Sequence, residues 1–130
     1  MNNNPFPQLP KQQFINLTTY RKSGQPVVTT VWFAQVGGRL YGMSEPQAGK
    51  CKRIRNNPNV SVAPSTYAGK VLGEASAGLA RILPETEAVV ARQALDKKYG
   101  WQMMFFKIYL KVRRISQTYW EIKPAQEPTA

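Results

Sequence analysis

Four cations fall within six residues at Lys50-Cys51-Lys52-Arg53-Ile54-Arg55, directly after Gly49. If this stretch is helical, its first N–H groups and the positive end of its dipole face an anion, and the lysines and arginines can neutralise a phosphate there. A solvated basic face has the same composition, and the Gly-Lys-Ser/Thr spacing of a Walker loop is missing. A second group is Thr29-Thr30-Val31-Trp32-Phe33. Strand alternation puts Thr30 and Trp32 on one side, where a hydroxyl and an indole can address the edge and face of a heteroaromatic ring; ordinary barrel packing would use the same pattern. Near the end of the chain, Tyr119 and Trp120 point to opposite sides of a strand, one toward a core and one toward a pocket or a subunit contact. Cys51, between two lysines, reads as an inert thiol.

The elements that must position these groups are mostly strands. Phe14–Arg21, Val27–Gln35 and Leu40–Ser44 are rich in β-branched and aromatic residues and are separated by Lys22–Pro26 and by Gly37-Gly38, which suits a tight hairpin. A short helix follows over Lys50–Asn57 and stops at Pro58. Asn59–Pro64 alternates as a half-buried strand, and Tyr67–Lys70 is a turn. Gly73–Leu83 is a strand of small residues, which implies close approach of another chain segment or a ligand. Pro84-Glu85-Thr86-Glu87 opens a helix that Tyr99-Gly100 closes. Trp101–Leu110 suits either a helix or a buried strand, and Arg113–Lys123 reads as the last strand. The expected organisation is an N-terminal arm at 1–13, one domain at 14–123 and a tail at 124–130. About six strands with two or three short helices favour a small barrel over a sandwich.

Composition narrows the chemistry. The chain has 130 residues, a formal charge of +11 and no histidine. A Ser-His-Asp triad, a histidine base and a histidine metal site are therefore excluded, and with seven acids the harder chemistry of an enzyme falls to a cofactor. The positive charge attracts anions. One cysteine excludes an internal disulfide and a cysteine-rich zinc site and fits a reducing cytoplasm. The start lacks the pattern of a secretory leader, and no apolar run approaches the roughly 20 residues of a membrane span. The expected location is cytoplasmic, with no membrane partner.

The order of these pieces resembles the pyridoxamine 5′-phosphate oxidase-like split-barrel family, in its flavin/deazaflavin oxidoreductase branch. The resemblance is carried by Thr29-Thr30-Val31-Trp32-Phe33, by Gly49-Lys50-Cys51-Lys52-Arg53-Ile54-Arg55-Asn56-Asn57-Pro58 and by Val60-Ser61-Val62-Ala63-Pro64, and it runs over about residues 14–123. It implies a mainly β, six-stranded split β-barrel, homodimeric, with cofactor sites at the subunit interface. The implied cofactor is the deazaflavin coenzyme F420 or FMN. Thr29, Thr30, Val31 and Trp32 would then lie along its ring, with Thr30 as a ring-directed donor. Ser44, Gly49, Lys50 and Lys52 would hold its phosphate with Arg55 nearby, and Ala63 and Pro64 would lie close to the ring. Trp120 of a partner would complete the pocket. The implied reaction is hydride transfer to a small unsaturated molecule.

Classical members carry arginine and histidine groups for a pyridoxal substrate, and a chain without histidine lacks that equipment, which sets vitamin B6 oxidation aside. An FMN-dependent reductase or oxidase, or a cofactor carrier of the same fold, is the alternative. A nucleic-acid-binding module is less favoured, because the basic residues gather at 50–55 and 107–114 instead of interleaving with aromatics.

Overall fold

The computed structural model describes residues 13–125. The expected arm and tail fall almost wholly outside this range. Pro124, expected to open the tail, instead ends the last strand.

The chain folds as β1 (Phe14–Tyr20), β2 (Pro26–Trp32), β3 (Ala34–Val36), β4 (Arg39–Ser44), α1 (Gly49–Asn56), β5 (Asn59–Ser65), β6 (Ser76–Ile82), α2 (Ala88–Tyr99), α3 (Trp101–Arg113) and β7 (Thr118–Pro124). One sheet takes the order β2-β1-β5-β6-β7-β4-β3, with every pairing antiparallel. Its two edge strands, β2 and β3, are consecutive in the chain and separated by Phe33 alone. The two ends of the sheet therefore meet through one covalent link, which forces it to curl into a half-barrel.

The expected third-to-fourth-decade strand thus appears as two, and six strands become seven. At Phe33 the backbone leaves both ladders, and the side chain, fully buried, turns into the barrel. Gly37, at φ +61, makes the two-residue hairpin between β3 and β4 that the Gly-Gly pair implied.

The barrel interior is filled by Ile15, Leu17, Phe33, Leu40, Trp120 and Ile122, each fully buried. Each such side chain stabilises the fold by roughly 1.5–3 kcal/mol relative to exposure. A second apolar layer lies outside the sheet, where Leu95, Tyr99 and Met103 of α2 and α3 pack with Trp32 and Met43.

Two other boundaries differ from expectation. The small-residue strand begins at Ser76, and the close approach it implied occurs at Gly78, where an added Cβ would lie 2.7 Å from the Ile122 side chain. The last strand begins at Thr118 because α3 runs on through Arg113. Arg114 ends that helix in the left-handed conformation (φ 56), and the Ile115 amide donates to the Leu110 carbonyl at 2.9 Å.

A buried carboxylate ties three strands together. Glu121 on β7 accepts from Tyr41 at 3.0 Å, Arg39 at 3.2 Å and Arg81 at 3.1 Å. Burial pushes its pKa up, but hydrogen bonds from Arg81 and Tyr41 more than offset this and hold it below the usual carboxylate value.

Candidate functional site

A cleft of about 520 Å³ opens between β2, the end of β4, the start of α1 and the inner side of α3. Its volume lies within the roughly 300–1,000 Å³ usual for small-molecule sites. Its walls are mainly aromatic: Trp32, Phe106 and Tyr109 on one side, Phe14 and Tyr67 on the other. Tyr67 stands edge-on to Phe14, with ring centres 5.7 Å apart. Trp32 is held by Tyr99, stacked on it at 4.8 Å and 16°, and by Phe106 tilted against it at 5.5 Å. Rings fixed in this way present flat apolar surface at little entropic cost.

The polar groups sit at defined places around these walls. Thr30 reaches the cleft from β2, Ser44 from the end of β4, and Lys50 from the first turn of α1. Ala48, the N-cap of α1, makes no side-chain capping bond, and no acid occupies the first turn, so the early N–H groups of this helix lack side-chain acceptors. Lys50 and that helix end form the positive pole of the cleft. Glu45 borders the same end and is the one carboxylate among the cleft residues.

Five of the residues expected to contact a cofactor therefore meet in one place: Thr30, Val31, Trp32, Ser44 and Lys50. The others lie elsewhere. Thr29 alternates to the opposite side of β2 from Thr30. Ala63 and Pro64 are buried in β5, and β1 separates that strand from β2. Gly49 begins α1 at the rim, between the cleft residues Ala48 and Lys50, whereas Lys52 is exposed away from the cleft. Arg55 is exposed as well and donates to the Pro46 carbonyl at 2.9 Å, which fastens the loop before α1. Arg53, from the same basic run, donates to Thr19 at 2.6 Å and holds α1 against β1.

Two expected roles change. Trp120 is fully buried in the barrel of its own chain, with its indole N–H donating to Ser44 at 3.2 Å, and has no surface to offer a second subunit. Tyr119, on the other side of β7, is the half-buried member of the pair. The Thr30 hydroxyl donates its hydrogen to Asn16 at 2.7 Å, so it faces the cleft as an acceptor and not as a donor.

Sequence reasoning passed over Asn16, Tyr67, Phe106 and Tyr109. For the last two the signal was present in the apolar run 101–110, but its helical register was open. Cys51 is fully buried and burial raises its pKa, which agrees with an inert thiol.

The family model of pyridoxamine 5′-phosphate oxidase matches residues 6–127. The chain belongs to this family. Among solved structures, an F420 reductase is similar at 18% identity and a TM-score of 0.61, covering 93% of this chain and 94% of that one. An FAD-binding protein of Mesorhizobium loti is similar at 22% identity and a TM-score of 0.60, covering 91% and 83%. A haem storage protein of Vibrio cholerae is similar at 16% identity and a TM-score of 0.65, covering 97% and 92%. At these identities the likeness is one of fold. A search of curated proteins finds no match. Among the described residues, no helix is long and apolar enough to cross a membrane, and no cluster of acids and cysteines could hold a metal ion.

Proposed function

We propose that this family member is an oxidoreductase that binds a flavin-type cofactor, the deazaflavin coenzyme or FMN, and passes hydride between its ring and a small unsaturated molecule. The observation that carries this reading is the pairing of flat aromatic walls with a single positive pole in one cleft. A planar ring with an anionic tail matches that donor set: aromatic faces for the ring, Lys50 and the uncapped start of α1 for the phosphate. The names of the F420 reductase and the FAD-binding protein agree with such a ligand.

The bound ring would supply the hydride chemistry. The chain's own residues would hold and orient it, and the walls of Trp32, Phe106 and Tyr109 would exclude water from its face. No histidine is present and Cys51 is buried, so the protein offers neither group to the reaction. The test is a titration with the deazaflavin coenzyme and with FMN, read by tryptophan fluorescence. Trp32 borders the cleft, Trp120 lies in the core and Trp101 is exposed on α3, so the titration is made in a Trp101→Phe background, where quenching reports on the cleft. Micromolar quenching by one of the two, weakened about tenfold or more in Lys50→Ala but not in Lys52→Ala, is the expected result. Absence of quenching by both would remove the flavin-type reading.

The same reading includes a homodimer. The outermost stripe of α3 is Trp101, Phe105, Ile108 and Val112, at spacings of four, three and four, each more than half exposed. It lies opposite the buried Met103 and Leu110, and the helix that carries it also forms the cleft wall through Phe106 and Tyr109. A contiguous apolar surface of this kind marks an interaction site. A second copy covering it would extend the open cleft on that side.

A further inference from the structure

We propose that Asn16 is a positioning residue that locks Thr30 as a hydrogen-bond acceptor toward the cleft, so that the site selects a planar ring carrying an N–H donor at its edge. This rests on the flavin-type reading of the cleft and specifies how the ring edge is recognised.

Asn16 and Thr30 are directly opposed in the β1–β2 ladder. Asn16 is 7% exposed. Its amide nitrogen donates to the Gly69 carbonyl at 2.8 Å, and its amide oxygen accepts from Thr30 at 2.7 Å. The Gly69 carbonyl decides which way the amide points. With the amide reversed, two oxygens would face each other at hydrogen-bond distance, at a cost no buried group sustains without a partner. The amide oxygen must therefore face Thr30, and the threonine must supply the hydrogen. What the hydroxyl retains for the cleft is lone pairs.

The carbonyl that sets this direction is itself held. Gly69 adopts φ +91, and an added Cβ there would sit 3.0 Å from the Thr30 oxygen. Its amide donates to the Thr66 carbonyl at 2.9 Å, closing a turn whose next strap is Thr66 N–H to the Lys70 carbonyl at 2.9 Å. That turn carries Tyr67, one of the cleft's aromatic walls. One asparagine thus fixes both the polarity of the Thr30 hydroxyl and the seat of the ring above it.

Flavins and deazaflavins share an imide N–H between two carbonyls. An acceptor-only hydroxyl favours the protonated imide and disfavours its anion. Three proteins would be compared, wild type, Thr30→Ala and Asn16→Leu, with FMN and N3-methyl-FMN as probes. In the wild type, methylation is expected to weaken binding about tenfold, and bound FMN should lose its imide proton about one pH unit above free FMN, as read from its absorption spectrum. In Thr30→Ala the methyl penalty should fall below about threefold. In Asn16→Leu the hydroxyl is free to turn and donate, so the imide of bound FMN should titrate below its value in the wild-type complex. Equal wild-type affinity for the two probes, or an unshifted imide, would overturn the inference while leaving the flavin-type reading intact. Failure of FMN and the deazaflavin to bind at all would overturn both. If Asn16→Leu does not fold, Thr30→Ala still decides: burial raises the imide pKa in both complexes, only the wild type adds the locked acceptor, and an equal shift in the two would overturn the inference.

Discussion

The Tyr99 hydroxyl replaces a missing sheet neighbour at Phe33. It accepts from the Phe33 amide at 3.0 Å and lies 2.7 Å from the Phe33 carbonyl and 2.7 Å from the Gln13 carbonyl, to which its single hydrogen is shared. Phe33 is where the chain passes from one edge of the sheet to the other, so its backbone groups belong to neither ladder. A side chain from the end of α2 satisfies them. The same ring supports Trp32 from behind, which links closure of the barrel to the wall of the cleft. Burial drives the phenol pKa up to about 12, against the lowering effect of the Phe33 backbone bond.

Tyr99→Phe keeps the ring and removes the hydroxyl, leaving a buried amide without a partner. The expected loss is about 1–3 kcal/mol, with the urea midpoint falling and the slope of the transition unchanged. A variant as stable as the wild type would mean that water or a shifted backbone takes over the Phe33 amide.

Gly42 lies opposite Trp120 in the β4–β7 pair, and a Cβ built on it would fall 2.0 Å from the indole Cζ2. The indole is enclosed in the barrel and has nowhere to turn. Gly42→Ala is expected to cost about 1–3 kcal/mol or more through overpacking, with a changed near-ultraviolet circular dichroism signal from Trp120. Adding Trp120→Phe should restore part of the loss. An undisturbed Gly42→Ala protein would show that β4 and β7 can separate freely.

Lys98 packs over the Phe33 ring, its Nζ 3.6 Å from the ring centre, and burial lowers its pKa to about 8. Its ordinary value is near 10.5, so between pH 8 and 10 the unfolded chain binds more protons than the folded one. Lys98 therefore contributes a rise of stability with pH across that window. Lys98→Met should flatten this rise and leave the protein more stable than wild type near neutrality. Chemical denaturation at several pH values measures both, and a parallel pair of pH profiles would refute the assignment.

Phe105→Glu places a carboxylate in the middle of the α3 stripe, where the wild-type side chain is 60% exposed. The expected result is a wild type that sediments as a dimer and a variant that sediments as a folded monomer. A monomeric wild type that instead pellets with anionic lipid vesicles would assign the stripe, with Lys107 and Lys111 beside it, to a bilayer surface. In that case the dimer proposal is wrong.

Much of the framework could be read along the chain. β-Branched and aromatic composition located β1 and β4, alternation located β5, the Gly-Gly pair located a hairpin, and the Gly49–Pro58 run located α1, because each of these patterns is set by local backbone chemistry and by which face is apolar. Composition removed histidine chemistry without any structure. The sequence order of the strands and the basic helix also carried the family resemblance. Tertiary structure decided what each group in those patterns does. Four cations in α1 look equivalent in sequence. Only packing separates Lys50, at the cleft, from Arg53, bound to Thr19, Arg55, bound to Pro46, and exposed Lys52. The break at Phe33 depends on a hydroxyl 66 positions away, and the polarity of Thr30 depends on Asn16 and a carbonyl 53 positions from it. Trp101–Leu110 is largely apolar, so its periodicity could not distinguish helix from strand, and packing settled it by burying Met103 and Leu110 on one side of a helix that runs on to Arg113. Local sequence sets backbone shape; the direction of a hydrogen bond and the side of a helix that meets a cleft are set by partners brought together only when the chain folds.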